Sequence, residues 1–365
     1  MIFGANNSAT FTATCVWLWL AVVGAQTAYA AAPDDWLYTV QQVVVDQSEQ
    51  RRQVAAREAL LEVLSRVTGL STVPRNAAIN AALARPDRFY SEYVFARSDG
   101  AGPSRSEDAL ALQIRFQERA VLDLVRDAEL PIWWSGRPMS MAWVVVEENG
   151  QRVILRDGSE LELAATLLQQ AQRRGLPLAL PLLDLQEAVQ VAPGIVWGNF
   201  LPTLVDATNR YGIQQIMVGR MRAETHGTET LYSGDWQVAF ADDLDPISSN
   251  FSGLSATQVA RLGAELAAGY FAPPMTIFSG DRFDHALEIF GVSDVAQYAR
   301  MSDYFRQFEF VDDVMVASIR NGRVNLTVST SASEKLLLSL LTREGQLQTV
   351  DAPAAAGAIN LEWRD

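Results

Sequence analysis

Histidine is scarce in this 365-residue chain, which has only His226 and His285. Lysine occurs once, at Lys335, and cysteine once, at Cys15, so arginine carries nearly all the positive charge. Two histidines are too few for most hydrolytic zinc sites, and no His-Glu-x-x-His occurs. There is no P-loop and no dinucleotide glycine fingerprint, so the sequence calls for no cofactor. With 43 acidic against 29 basic residues the net charge is -14. An excess of that sign argues against nucleic acid or anionic lipid as a main partner.

Charge is also missing from the start. Residues 1–33 hold no ionisable side chain apart from Cys15 and Tyr29. The apolar run around Cys15-Val-Trp-Leu-Trp-Leu-Ala-Val-Val-Gly24 has signal-peptide length, and Ala28-Tyr29-Ala30 fits the small-x-small cleavage pattern. The expectation is a signal peptide over 1–30 and a periplasmic body that keeps no cysteine. The alternative is an uncleaved inner-membrane anchor, since Phe11 to Ala32 reaches the roughly 20 residues that span a bilayer. Membrane contact is expected only in that second case.

What is present suits a globular protein: 49% hydrophobic and 20% charged residues, enough for two or three domains. The expected class is α+β, with domains over 34–135, 138–274 and 275–365. In the first, Trp36–Val45 reads as a strand. Asp46-Gln47-Ser48 offers a cap for a helix over Glu49–Val67 that Gly69 stops. A shorter helix follows over Pro74–Leu83. Phe89–Phe95 and Ala109–Phe116 pair as a hairpin around the polar loop Ser98–Asp108, before a helix over Glu118–Glu129. Ile132-Trp133-Trp134-Ser-Gly-Arg137-Pro138 reads as the joint to the next domain.

The central domain is expected to be organised around Leu176–Arg222, as a strand, loop, helix and strand with Trp236 just beyond. Met141–Val146 adds a buried strand, Ser159–Arg174 a helix and Thr228–Phe240 one long or two short strands. The acidic turn Asp242-Asp243-Leu244-Asp245-Pro246 ends that strand, and Ser255 caps a helix over Ala256–Phe271. In the last domain, a strand (Ala286–Val292), a helix (Val295–Phe308), a hairpin across Asn321-Gly322, a helix (Glu334–Leu341) and an edge strand (Ala358–Trp363) give the ferredoxin-like β-α-β-β-α-β order.

Four polar residues stand among apolar ones in the central stretch: Asp184, Arg210, Tyr211 and Arg220. They are the candidate binding residues. Arg220, read at a strand end, is placed to pair with Asp184, either as a structural ion pair or as a ligand clamp. Asp281, Asp284 and His285 are candidate metal ligands, against the reading of a capped loop before a strand. Trp133, Trp134, Trp143, Trp197 and Trp236 could line a groove, although core packing is the commoner fate. No catalytic residue is nominated.

Several stretches resemble an exported gammaproteobacterial family of unknown function (DUF2066). They are Asp46-Gln47-Ser48, Arg57-Glu58-Ala59-Leu60, Arg66-Val67-Thr68-Gly69, Gly175-Leu176-Pro177 and Leu180-Pro181-Leu182-Leu183-Asp184-Leu185. Trp197-Gly198, Arg210-Tyr211-Gly212, Gly219-Arg220 and Trp236 continue the likeness over most of the chain. The resemblance implies export and brings no activity, cofactor or catalytic residue. The first domain also resembles the small α+β domains of envelope and flagellar-accessory proteins. The reading that follows is a non-catalytic envelope protein whose partner is another envelope protein. The alternative is a ligand-binding protein or hydrolytic enzyme with its site near Asp184, Arg210 and Arg220.

Overall fold

The computed structural model describes residues 35–97, 110–278, 280, 282–343, 345–351 and 358–364. The proposed signal segment, the loop 98–109 and Asp281 lie outside them. Within the unit Pro33–Asp365, three sheets each carry their own helices.

The N-terminal sheet is preceded by one helical turn, α1 (Asp35–Tyr38), where a strand had been expected from Trp36. The strand β1 begins only at Thr39 and runs to Val44. Helix α2 (Glu49–Thr68) starts at Ser48, whose side chain accepts the Arg51 N–H, and ends at Gly69 with φ 72°. Glycine tolerates that left-handed turn without a Cβ penalty. Helix α3 (Ala77–Ala84), strands β2 (Tyr90–Arg97) and β3 (Leu110–Phe116) and helix α4 (Glu118–Asp127) follow. The order across the sheet is β1-β3-β2, all antiparallel neighbours, and α2 lays Leu60, Val63 and Leu64 against it.

After a two-residue strand β4 (Ile132–Trp133) comes the central sheet. Its first strand is β5 (Ser140–Glu148), an interior strand buried over its first seven residues. A hairpin at Asn149-Gly150, both with positive φ, returns as β6 (Gln151–Ile154). Helix α5 (Glu162–Arg173) leads to the two-residue β7 (Leu178–Ala179). The expected single helix of the central stretch is three short ones: α6 (Leu185–Gln190), α7 (Pro193–Trp197) and α8 (Leu201–Asn209). Pro193 and Pro202 each sit in a helical first turn, where a missing N–H costs nothing, and so restart the chain. Strands β8 (Gln215–His226), β9 (Glu229–Phe240) and β10 (Asp243–Ser255) complete the order β10-β9-β8-β5-β6, with β7 also on β5.

Strand β10 corrects the reading of an acidic turn followed by loop. The turn is shorter, and the chain continues as an edge strand with two register shifts, Pro246 falling in the first of them. Edge strands tolerate proline and bulges because one side of the ladder is free. Helices α5 and α9 (Ala256–Phe271) cover one face of this sheet through Trp236, Met217 and Phe271, while α7 and α8 cover the other through Trp143, Val218 and Leu204. Gly219 and Gly263 make room for Trp236: a Cβ would stand 2.3 Å and 2.7 Å from its ring.

Strand β11 (Thr276–Ile277) pairs back with β4, tying the two joints together. The C-terminal sheet contains β12 (Phe283–Phe290), α10 (Val295–Arg306), β13 (Val311–Arg320), β14 (Arg323–Thr330), α11 (Glu334–Leu341), β15 (Leu347–Thr349) and β16 (Ile359–Trp363). The order β13-β14-β12-β16-β15 keeps the ferredoxin-like split of β12 and β13 around β14. Because β15 intervenes, β16 is not the edge: it runs parallel to β12 with β15 outside it. The first and last sheets thus share the βαββα path and the strand order first-third-second, a repeat in topology without one in sequence. Among the described residues no helix is long and apolar enough to cross a membrane.

Candidate functional site

Three of the four residues singled out in the central stretch, Asp184, Arg210 and Tyr211, meet around α6. Asp184 is its N-cap, accepting the Glu187 N–H at 2.9 Å on Oδ1. The same carboxylate takes both ends of the Arg210 guanidinium, at 3.2 and 2.6 Å, so the pair is a two-toothed clamp. The Arg210 bonds, and then the amide of Glu187, hold the Asp184 carboxyl down at a pKa of about 2. It stays ionised near neutral pH and cannot act there as a general acid.

Below this exposed clamp lies a residue the sequence reading passed over. Glu187 is 0% exposed. Its carboxylate accepts the Tyr211 hydroxyl at 2.8 Å and the Leu183 N–H at 2.7 Å, and Tyr211 in turn accepts the Leu182 N–H at 3.2 Å. Burial, with the Glu187 carboxylate also contributing, pushes the Tyr211 hydroxyl up to about 12. The phenol therefore remains a proton donor in a fixed bond and is not a ready nucleophile. A glutamate thirteen residues from the nearest basic one, Arg174, gives no sequence cue to burial. The signal available was its place three residues after an N-cap aspartate.

Arg220 is not in this constellation, which corrects its expected pairing with Asp184. It lies inside β8 and not at a strand end, directly opposite Asp235 of β9, and its Nη2 reaches Asp235 Oδ2 at 2.7 Å. Opposed residues of an antiparallel pair point to one face, so register decided the partner. Gln237 Nε2 donates to the same Asp235 oxygen at 3.2 Å, and Asn199 Nδ2 donates to Gln237 at 2.7 Å. Nearby, Arg152 stands 4.1 Å from the centre of the Trp197 ring and Arg222 5.6 Å, with Glu147 accepting from both arginines.

Of the candidate metal ligands, Asp284 and His285 are consecutive in β12 and so project to opposite faces, where a loop had been expected. Asp284 accepts the Ser329 hydroxyl at 2.5 Å, and His285 Nε2 lies 3.0 Å from the Ala332 carbonyl. Among the described residues no three histidine, cysteine, aspartate or glutamate side chains gather as a metal set. Trp133, Trp134, Trp143 and Trp236 are buried in cores, and Trp197 is half-buried.

The constellation leaves one face of α6 uncommitted. Leu185 is 91% and Val189 87% exposed, one helical turn apart, with half-exposed Leu182 leading into them. Behind this ridge the Asp184–Arg210 pair and the bonds accepted by Glu187 hold the helix in place.

Comparison with known proteins adds a family without a function. Residues 31–134 match the model of a family described as "Domain of unknown function (DUF8605)". The resemblance to DUF2066 is thus met only in its coarser part, that of an uncharacterised domain. No curated protein matches the chain. A solved structure described as "Crystal structure of uncharacterized protein" is 15% identical over 37% of this chain and 90% of its own, with a TM-score of 0.15. A score that low does not establish a shared fold.

Proposed function

We propose that this chain is a non-catalytic protein of the bacterial envelope, exported by its N-terminal segment, that docks another envelope protein through the Leu185–Val189 ridge of α6. The observation that carries the reading is that ridge. Two large aliphatic side chains stand almost fully in water on a helix pinned by a buried glutamate and an exposed two-toothed ion pair. Burying both would supply about 3–6 kcal/mol before the costs of association. The pinned helix lowers those costs, because little order remains to be lost on binding. Export is supported by the apolar, cleavable-looking start and by the resemblance to the exported DUF2066 family. An enzyme or ligand site at Asp184, Arg210 and Arg220 would need the existing ion pairs to open first.

A photo-crosslinking residue at Val189, in the native host, tests this. The expected result is one dominant envelope protein, lost when Leu185→Glu is added to a chain that still melts normally. A pattern identical to that from a control position on α10, such as Asp303, would sink the docking role. Mass measurement of the mature protein tests export separately: the expected first residue is Ala31, and an intact Met1 in the cytoplasm would remove the envelope reading.

A further inference from the structure

Between α4 and the C-terminal sheet lies a cleft that the α6 constellation does not touch. Its inner part has a volume of about 360 Å³ and is walled by Ile132, Ile277, Phe278 and Phe310. An outer, more polar part of about 960 Å³ adjoins it, sharing Arg126, Arg282, Glu309 and Asp312. A few hundred cubic ångströms with apolar walls and a few polar groups is the usual format of a small-molecule site.

Glu309 lines both parts and is only 8% exposed. Its carboxylate accepts from Ser135, through the side chain and, at a long 3.5 Å, through the N–H. The nearby guanidinium of Arg126 is turned to other acceptors. Its Nη2 donates to the Glu309 backbone carbonyl at 2.7 Å, its Nη1 lies 3.3 Å from Asp123, and its Nε lies 3.6 Å from Asp312. Arg282 is likewise 3.3 Å from Asp312. Burial pushes the Glu309 carboxyl up, against the Ser135 bond and the charge of Arg137, which draw it down. Burying a carboxylate is costly, and a cation in the adjoining cleft would offset that cost further than Ser135 and Arg137 do alone.

We propose that this cleft binds a small organic ammonium ion, its charged nitrogen at the Glu309 carboxylate and its apolar body against Phe310, Ile132 and Ile277. Charge favours a cation over an anion: the inner lining sets Glu129, Glu309 and Asp312 against Arg126 and Arg282, in a chain of net charge -14. Phe278 and Phe310 add aromatic rings to the lining, and aromatic faces attract an ammonium group. This inference is independent of docking through α6.

The test is calorimetric titration of the full chain with phenethylamine, alongside 3-phenylpropan-1-ol and 3-phenylpropanoate as neutral and anionic analogues. The expected result is saturable one-to-one binding of phenethylamine at millimolar concentration or below, with both analogues weaker by about tenfold or more. Glu309→Gln is expected to abolish the preference for the amine, and Ser331→Phe, which adds bulk to the lining, to weaken all three probes. No saturable binding of phenethylamine, or an unchanged amine preference in Glu309→Gln, overturns the proposal.

Discussion

Arg137 and Arg174 meet the carbonyl ends of α2 and α5 inside the molecule, whereas Asp184 meets the amide end of α6 at its surface. Both arrangements answer the same need, because a helix leaves unpaired groups at each terminus and a dipole that attracts the opposite charge. They differ in depth. Arg137 is 7% exposed and donates to the carbonyls of Arg66, Gly175, Trp133 and Trp134, with its guanidinium 3.9 Å from the centre of the Trp133 ring. Arg174 donates to Ser65 Oγ, to the carbonyls of Gly69 and Leu70, and to Glu265. One pair of side chains thus knits the N-terminal sheet to the central one, both nearly out of water themselves. The Asp184–Arg210 clamp only holds a short helix in place, with water at hand. A polar residue among apolar ones marks a helix end in both places, and burial decides how much depends on it.

The comparison is broken most severely at Arg137. Arg137→Ala leaves four buried carbonyls without that donor and is expected to cost about 4 kcal/mol or more in urea denaturation. A loss under about 1 kcal/mol would mean that water enters the joint, making it no different from the α6 clamp. Gly175→Ala attacks the same contact from the other side. Gly175 has φ +69°, and a Cβ there would lie 2.8 Å from Arg137 Nη1 and 2.9 Å from the Arg66 backbone. A loss of about 3 kcal/mol is expected from the strain and the clash together. An unchanged melting temperature would show that the α2 and α5 ends are free to separate.

Tyr211→Phe sharpens the comparison from the α6 side, since it removes the buried layer beneath the exposed clamp. The hydroxyl donates to a fully buried Glu187, so a loss of about 1–3 kcal/mol is expected. It also predicts an alkaline signature. With the folded pKa raised to about 12, the contribution of the neutral phenol is complete below pH about 10 and is lost as pH rises from there through 12. Denaturation curves of the Phe variant should lack that limb. If both proteins lose stability in parallel, Tyr211 is not its source.

The elements that sequence made legible are those with punctuation. Ser48 and Gly69 bracket α2, Ser255 precedes α9 and donates its N–H to Gln258 at 2.9 Å, and Asn321-Gly322 turns β13 into β14. The turn at Asn149-Gly150 carried the same signal for β6 and was passed over. Strand β10 was hidden by Pro246 and its serines, which suit an edge but read as loop. At the site, Asp184, Arg210 and Tyr211 stood out by their isolation in an apolar stretch. Arg220 stood out equally and belongs elsewhere, because its partner was set by the register of β8 on β9. Arg174 was legible as the basic end of a helix and Arg137 as part of a joint, but neither showed what it would bind. Most of the acceptors that join them to other segments are backbone carbonyls, those of Arg66, Gly69, Leu70 and Gly175, and no side-chain pattern records those.

The smallest effect is expected at Asp184, where two substitutions separate its two tasks. Asp184→Asn keeps an oxygen to cap α6 but ends the ion pair with Arg210, whereas Asp184→Ala loses both. At neutral pH the Asn variant should lie near the parent and the Ala variant slightly below it, far less than Arg137→Ala, because exposed ion pairs contribute little. The acid limb is the sharper reading. The folded pKa is depressed to about 2, so the contribution of the carboxylate is present above its unfolded pKa of about 4 and is lost as pH falls from there through 2. Both variants should lack that part of the parent's acid-denaturation curve, and added salt should narrow the difference between parent and variants. If Asp184→Ala instead destabilises as much as Arg137→Ala, the clamp supports more than α6, and depth alone no longer separates the two arrangements.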